Sequence, residues 1–466
     1  MSQNPFASAN LGFKFKLLPT KEQVKALDHQ MFVSNQAYNI CLNLFKKQSE
    51  KNQKLEKHGR SYKTAVQYDK VVKRALRLRK ISFSTVVTQQ ARINFQKAVK
   101  STFTAKSVAE RVKAIANAKT PKEKKKAYKF GFPNFKSSKN PRQSFVWNNQ
   151  GIQLLEAENS KFATLRLMKM DLKFRYHRNF PENFKICSIV VSKEGSDYFV
   201  SFGIEFQIAV NLGISTKRVE NLKSIGLDLN AYSIASSCDV SELFEDVSQK
   251  HLINNGAKNR KGLRFQLRRK ILERKQSKRV LKALKNKSKL GKNHKKTQEK
   301  INKLQKNITN QKSDLYHKIS NIITNQFDLI AVEDLKTKNM SKSSKGNELC
   351  HGKMVKQKSG LNRAILNASF YQFLAMLEYK SKLNDKIFVK VNPAYTSLEC
   401  SICGNRDKKN RPKQDKFECT ACGFKINPDI QAAQTILKRG LGVFGLGTSL
   451  CTSADAKSKS LLISEA

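Results

Sequence analysis

Cysteine is scarce in this chain. Nine cysteines among 466 residues are too few, and too clustered, for a secreted disulfide scaffold. Four lie in one C-terminal segment; Cys41, Cys187, Cys238, Cys350 and Cys451 are scattered and read as reduced thiols of a cytoplasmic protein. Long apolar runs are missing as well. No stretch approaches the roughly 18 apolar residues of a membrane span, and the N-terminus has no apolar h-region, so no membrane partner is expected. The seven histidines are scattered and read as surface or packing residues. Proline is absent from residues 182–392. Acid is the last shortage: 36 Asp and Glu face 90 Lys and Arg, for a formal charge of +54 and a pI near 10.1. Such a protein repels itself unless a polyanion neutralises it, and DNA or RNA, whose condensed counterions are released on binding, is the natural partner. A lysine-rich proteome accounts for part of that excess and not for all of it. The length allows two to four domains.

The clustered cysteines form two knuckles, Cys400-Ser401-Ile402-Cys403 and Cys419-Thr420-Ala421-Cys422, fifteen residues apart. That is the spacing of a four-thiolate site for one structural Zn²⁺. Asp429 follows seven residues after the last cysteine.

Three acids stand out. Ile225-Gly226-Leu227-Asp228-Leu229-Asn230 alternates strictly, so Gly226, Asp228 and Asn230 share one face of a strand, and the glycine leaves room for something to approach. Phe327-Asp328-Leu329-Ile330-Ala331-Val332-Glu333 is an apolar run suited to a buried parallel strand, with Glu333 at its carboxyl edge, where open α/β sheets place their ligands. Asp429 opens a helix capped by Asn427, with Pro428 first and Ile430, Ala433 and Leu437 as its inner stripe. Each acid alone has an ordinary explanation: a helix dipole suits Asp429, and Glu333-Asp334 suits a loop start. The order strand Asp, basic helices, strand Glu, ribbon, helix Asp is harder to obtain by chance. Three converging carboxylates suit two Mg²⁺ ions, which take oxygen ligands. Ions about 3.5–4 Å apart clamp the attacking and leaving oxygens of a phosphodiester.

The rest of the chain supplies context. Gly12-Phe13-Lys14-Phe15-Lys16-Leu17-Leu18-Pro19 alternates as a strand, and Thr20 with Gln23 forms a capping box for a helical stretch reaching about residue 118. Residues 121–126 read as a basic linker. Short alternating runs follow, such as Leu165-Arg166-Leu167 and Tyr198-Phe199-Val200-Ser201-Phe202, as in a β-barrel interrupted by a helical insertion. Residues 258–318 carry 23 basic side chains against three acids. Their apolar positions, from Leu263, Leu267 and Ile271 to Ile319 and Ile322, give two amphipathic helices turning near Gly291, densely positive outside. Arg268, Arg269, Lys270 and Lys275 are candidate nucleic-acid contacts there, with a bland surface hairpin as the alternative. Residues 441–466, rich in Gly, Ser and Lys, read as a disordered tail.

Through Phe15-Lys16-Leu17-Leu18-Pro19-Thr20-Lys21-Glu22-Gln23, Gly131-Phe132-Pro133-Asn134-Phe135-Lys136, Ile225-Gly226-Leu227-Asp228-Leu229, Val332-Glu333-Asp334-Leu335, Asn392-Pro393-Ala394-Tyr395-Thr396-Ser397, the cysteine knuckles and Asp429-x-x-Ala432-Ala433, the chain resembles the TnpB family. These are transposon-encoded RNA-guided nucleases, related to the miniature type V CRISPR effectors. The similarity runs from about residue 12 to 440. It implies an α/β RuvC-like nuclease of RNase H fold with an inserted zinc ribbon, plus an N-terminal wedge β-barrel carrying a helical recognition insertion. The expected bounds are 1–20 and 121–220 for the wedge and 21–120 for the recognition helices. The nuclease domain takes 221–394 and 425–440, with a basic hairpin at 256–325; the ribbon takes 395–424 and the tail 441–466. Asp228, Glu333 and Asp429 fall on the family's catalytic positions. The resemblance further implies a guide RNA, a target DNA and a target-adjacent motif read by protein. Gln89 and Gln90 are candidates for that reading, because amides pair with base edges.

Departures from the family's pattern are Asn427 for a frequent Asp, Gln431 for the usual Asn, Leu398-Glu399 for Gln-Thr and Asn230 for Gly; none removes an expected metal ligand. The expected activity is RNA-guided, Mg²⁺-dependent DNA cleavage in the cytoplasm of a bacterium or archaeon, associated with the nucleoid. Alternatives are a miniature type V CRISPR nuclease, or an RNA-guided repressor, which would have lost at least one acid. An unguided RNA binder leaves Asp228 and Glu333 unexplained. A transposase with three acids on the same fold would not place a ribbon directly before the last of them.

Overall fold

In the computed structural model the described residues are 6–57, 67–118, 120–137, 140, 142–148, 150–159, 161–209, 222–231, 233–244, 247–249, 251–254, 260–288, 290–346 and 352–443. The chain divides into two compact units, residues 1–209 and 210–466. The tail expected at 441–466 lies outside the described residues beyond residue 443.

The first unit begins with β1 (Phe6–Leu17), whose alternation sends Phe13, Phe15 and Leu17 into the core and leaves Lys14 and Lys16 outside. Thr20 and Gln23 form the expected capping box: the Thr20 N–H donates to Gln23 Oε1 at 3.0 Å, and the Gln23 N–H to Thr20 Oγ1 at 3.3 Å. Four helices follow, α1 (Lys21–Lys57), α2 (Tyr68–Leu78), α3 (Thr85–Thr102) and α4 (Ala105–Ala116).

Residues 121–126 are not a linker. They belong to α5 (Pro121–Tyr128), nucleated by Pro121 in its first turn and by a Thr120–Glu123 capping box. Helix-start chemistry outweighed the charge run that made the segment look extended.

Six strands then join β1: β2 (Arg142–Asn148), β3 (Gln153–Asn159), β4 (Phe162–Leu167), β5 (Met170–Arg175), β6 (Lys185–Glu194) and β7 (Asp197–Ala209). They form one antiparallel sheet in the order β2-β6-β7-β1-β5-β4-β3. The expected barrel is therefore an open sheet, with no ladder closing β2 onto β3 among the described residues. These outermost strands are consecutive in the chain, and the four residues between them span at most about 18 Å. The sheet must therefore roll until its edges approach. Beside the link, Trp147 Nε1 donates to the Gln150 carbonyl at 2.9 Å, and the Gln150 N–H to Asn148 Oδ1 at 3.3 Å.

The second unit holds a six-stranded mixed sheet in the order β10-β11-β9-β8-β12-β13. Its strands are β8 (Ser224–Leu229), β9 (Ser233–Ser236), β10 (Val247–Gln249), β11 (Leu252–Asn254), β12 (Leu329–Glu333) and β13 (Ile387–Val391). β12 runs parallel to both β8 and β13, whereas β9 returns antiparallel to β8. All five residues of β12 are buried, as its unbroken apolar run requires.

Between β11 and β12 lie α6 (Arg260–Lys285) and α7 (Lys292–Gln326), with Gly291 at the N-cap of the second. The turn falls where expected, but the burial does not. Leu263, Leu267 and Ile271 of α6 are exposed, whereas Ile301, Leu304, Tyr316, Ile319 and Ile323 of α7 are buried. The long helix α7 packs onto the sheet together with α10 (Phe370–Leu383), which follows α8 (Thr337–Met340) and α9 (Val355–Ala368). The Tyr316 ring lies tilted against Phe373 with centroids 4.9 Å apart, and its hydroxyl donates to the Ala368 carbonyl. Ile225, Leu227 and Leu229 face this layer. The small strands β14 (Phe417–Glu418) and β15 (Lys425–Ile426) lie in the cysteine segment, and α11 (Pro428–Gly442) covers the opposite sheet face.

Candidate active site

Parallel pairing sets the position of the first two acids. Gly226 lies opposite Ala331 and Leu227 opposite Val332. One step further along that ladder, Asp228 and Glu333 come level at the carboxyl edge of the sheet.

The third acid arrives on α11. Asn427 Oδ1 accepts the Asp429 N–H at 2.9 Å, and Pro428 occupies the first turn, as the sequence pattern predicts. What approaches Gly226 is this helix. A Cβ there would sit 2.2 Å from the Ala433 carbonyl oxygen, and one at Gly440 would sit 2.6 Å from Ala331 Cβ. Two glycines thus let α11 lie directly on β8 and β12, with its N-terminus over the edge that carries the acids.

The charges respond accordingly. Burial pushes the Asp228 carboxyl up to about 7, and the charges of Glu333 and Asp429 push the same way. The Asn230 amide, donating to Asp228 Oδ2 at 3.1 Å, and the Arg411 guanidinium pull it back. Burial also raises Glu333, only 9% exposed, against a hydrogen bond from Thr396 and the charge of Arg439. Burial raises Asp429 against Arg411. Three carboxyls shifted upward together are short of positive charge, a shortage that an oxygen-seeking cation would relieve.

Arg411, Thr396 and Arg439 were not picked out from the sequence. Thr396 sits in a stretch that carries the family resemblance, which was a usable signal; the two arginines had none.

The four cysteines converge with all ligand sulfurs within 4.8 Å of one another. Cys400 Sγ lies 3.7 Å from Cys422 Sγ, and Cys403 Sγ 3.5 Å from Cys419 Sγ. These separations are too long for a disulfide. They approach the edge, about 3.8 Å, of a tetrahedron whose corners are 2.3 Å from a metal. The knuckles are built alike: the Gly404 N–H donates to Cys400 O and the Gly423 N–H to Cys419 O, both at 2.9 Å. Each glycine has positive φ, +75° and +68°. Buried Asn410 links them, donating to Leu398 O at 2.9 Å and accepting the Thr420 N–H at 2.9 Å.

This ribbon is fastened to α11. Ser401 Oγ donates to Gln434 Oε1 at 2.9 Å, Thr435 Oγ1 to Glu399 O at 3.2 Å, and Gln431 Nε2 to the same Glu399 carbonyl. Gln431 therefore works in the ribbon joint.

Of the candidate nucleic-acid contacts, Gln89 is exposed on α3 and Gln90 half-buried. Arg268, Lys270 and Lys275 are exposed on α6. Arg269 is half-buried and engaged within the hairpin by Glu273 at 3.3 Å and by Gln305. No helix among the described residues is long and apolar enough to cross a membrane.

Three family models match. A transposase model, described as "Probable transposase", covers residues 207–344; the "Cas12f1-like, TNB domain" covers 370–436; a "Helix-turn-helix domain" model covers 9–54. In this chain that last segment folds as β1 and one unbroken helix. The putative RNA-guided DNA endonuclease InsQ of Escherichia coli K12 is 31% identical over 68% of this chain and 70% of its own length. A putative RNA-guided DNA endonuclease of Streptomyces pristinaespiralis is 23% identical over 94% of this chain and 91% of its own. A Cas12f1–sgRNA–target DNA complex aligns over 93% of this chain and 99% of its own at 13% identity, with a TM-score of 0.44. The class is that of transposase-like nucleases. Within it, the chain belongs to the TnpB/InsQ family of RNA-guided DNA endonucleases.

Proposed function

We propose that the protein cleaves target DNA at Asp228, Glu333 and Asp429, guided by a bound RNA, and that it is encoded by a transposon. The observation that carries this reading is the register that brings Asp228 and Glu333 to one sheet edge with the start of the Asp429 helix packed over the same strands, the charges of Glu333 and Asp429 both acting on Asp228. A mixed sheet with its first acid on a central strand and the second on the parallel neighbour supports the RuvC-like assignment. So does the all-oxygen donor set, which suits two Mg²⁺ ions. When bound, the ions would supply a nucleophilic water and neutralise the departing oxygen. The chain's own residues hold those oxygens in place: Asn230 and Thr396 orient two carboxylates, and Arg411 supplies fixed positive charge beside Asp228 and Asp429. The thiol tetrahedron suits one structural Zn²⁺.

The remaining assignments belong to the same reading. The rolled sheet of the first unit is the wedge and α1–α4 are the recognition helices. Gln89 reads the target-adjacent motif. Arg268, Lys270 and Lys275 line the nucleic-acid surface, because base pairing supplies specificity and the protein supplies charge and shape.

The test is to purify the protein with its native flanking DNA co-expressed and to sequence the RNA that accompanies it. One discrete RNA, ending in a segment that programmes Mg²⁺-dependent cleavage of matching DNA, is expected. Asp228→Ala or Glu333→Ala should then lower cleavage by about 10³-fold or more with RNA binding intact. A heterogeneous mixture of cellular RNA, or cleavage surviving both substitutions, would overturn the assignment.

A further inference from the structure

Glu333 is the most enclosed of the three acids, and the group that encloses it comes from the loop leading into the ribbon. Thr396 Oγ1 lies 2.6 Å from Glu333 Oε1 and 3.2 Å from the Pro393 carbonyl. A hydroxyl has one proton, and the shorter, charge-assisted bond to the carboxylate takes it. That bond uses one lone pair of Oε1 and fixes the rotation of the carboxylate.

The loop itself is clamped. Arg439, near the end of α11, donates to Asn392 O at 2.7 Å, to Ala394 O at 2.9 Å and to Glu399 Oε2 at 2.6 Å. One planar guanidinium thus closes the segment 392–399 at both ends and joins it to the helix that carries Asp429. Inside the clamp, Asn392 Oδ1 accepts the Ala394 N–H at 3.0 Å. Tyr395 holds φ +64°, a left-handed conformation that a non-glycine residue keeps only where its surroundings fix it. Arg406 spreads over the Tyr395 ring at 4.6 Å and reaches Glu399 at 3.3 Å.

We propose that Thr396 is a positioning residue that restricts Glu333 to a single-oxygen metal contact, and that the Arg439 clamp holds Thr396 to that task. The proposal rests on the reading of Glu333 as a metal ligand. A carboxylate free to rotate can offer both oxygens to one ion, which suits the loose geometry of Ca²⁺; Mg²⁺ demands near-ideal octahedral geometry. Groups that orient metal ligands typically change metal affinity or activity 10–100-fold when removed.

The experiment uses the full chain loaded with its guide RNA and compares Thr396→Val with Thr396→Ser. Mn²⁺ affinity is read by electron paramagnetic resonance without turnover, alongside the Mg²⁺ concentration giving half-maximal cleavage. Thr396→Val should weaken Mn²⁺ binding and raise the Mg²⁺ requirement by about 10–100-fold, with zinc content unchanged. Thr396→Ser, which keeps the donor, should stay within about threefold of the parent on the same scale. Arg439→Lys, which keeps the charge but loses the fork, should move both readouts in the direction of Thr396→Val, and it serves if the valine variant fails to fold. Unchanged Mn²⁺ affinity in Thr396→Val, or an equal loss in Thr396→Ser, would overturn the proposal. Glu333→Gln separates the two layers. If it binds Mn²⁺ and cleaves as the parent does, the metal-site reading itself fails; if it loses both while Thr396→Val loses neither, only the positioning role fails.

Discussion

Asp228 is buried against two other carboxyls, and its proton is held up to about pH 7 by that burial and by Glu333 and Asp429. The consequence for stability has a definite sign. In the unfolded chain this carboxyl titrates near the ordinary aspartate value of about 3.9. Between that pH and about 7 the folded protein binds more protons than the unfolded one, so its stability falls as pH rises through that window. Metal-free protein should therefore have a lower unfolding midpoint at pH 8 than at pH 5.5, and added Mg²⁺ should raise the midpoint more at pH 8. Differential scanning calorimetry with and without Mg²⁺ checks this, and a larger Mg²⁺ effect at pH 5.5 would contradict it. The elements that carry the three acids could be read from sequence because the rules that place them are local: period two for Asp228, an apolar run for Glu333, a cap and proline for Asp429. Arg411 and Thr396 act across long loops; Thr396 meets Glu333 from 63 positions away. No local pattern encodes such a contact.

At the scale of elements, the decisive contact is α11 against β8 and β12. Gly226→Ala would drive a Cβ to 2.2 Å from a backbone oxygen, where no side chain can swing aside. Overpacking of this kind costs about 1–3 kcal/mol, and shifting the helix moves Asp429. Chemical denaturation should show that loss together with reduced cleavage. Gly360→Ala, inside α9 with nothing within 4 Å, serves as the tolerant control, since alanine favours a helix interior. A Gly226→Ala variant of parental stability and activity would show that the helix does not need this approach. The alternation around Asp228 announced an open position but not its occupant, because helix–sheet docking depends on two glycines 214 residues apart in sequence (440 − 226). The apolar positions of α6 misled for a related reason. Periodicity marks a stripe on a helix, yet whether a neighbour covers it is settled by tertiary packing, and here α7 took the buried role while Leu267 stayed 62% exposed.

For the whole molecule, charge outweighs every other property. With +54 formal charges, RNA affinity should fall steeply with salt. Engagement of 6–10 phosphates predicts a loss of about 10³–10⁵ between 50 and 200 mM for duplex contacts, and somewhat less for single strands. Filter binding across that range gives the slope of log affinity against log salt. A flat line would show that the basic surface is not the binding surface. Composition made this property visible at once, and segment order foreshadowed the β-rich first unit. Whether its strands closed into a barrel was beyond sequence, because closure depends on how two edge strands meet.

The placement of Asp429 on a helix that follows the ribbon has a consequence in time. A ribosome reaches Asp429 only 201 residues after Asp228 (429 − 228), which at 5–20 residues per second is roughly 10–40 s later. For the last 96 residues of that interval (429 − 333), roughly 5–20 s, the emerging chain carries its basic helices and two of its acids but lacks the third. On the proposed reading, a nascent molecule can gather nucleic acid well before it can cut any, and translation itself imposes the delay.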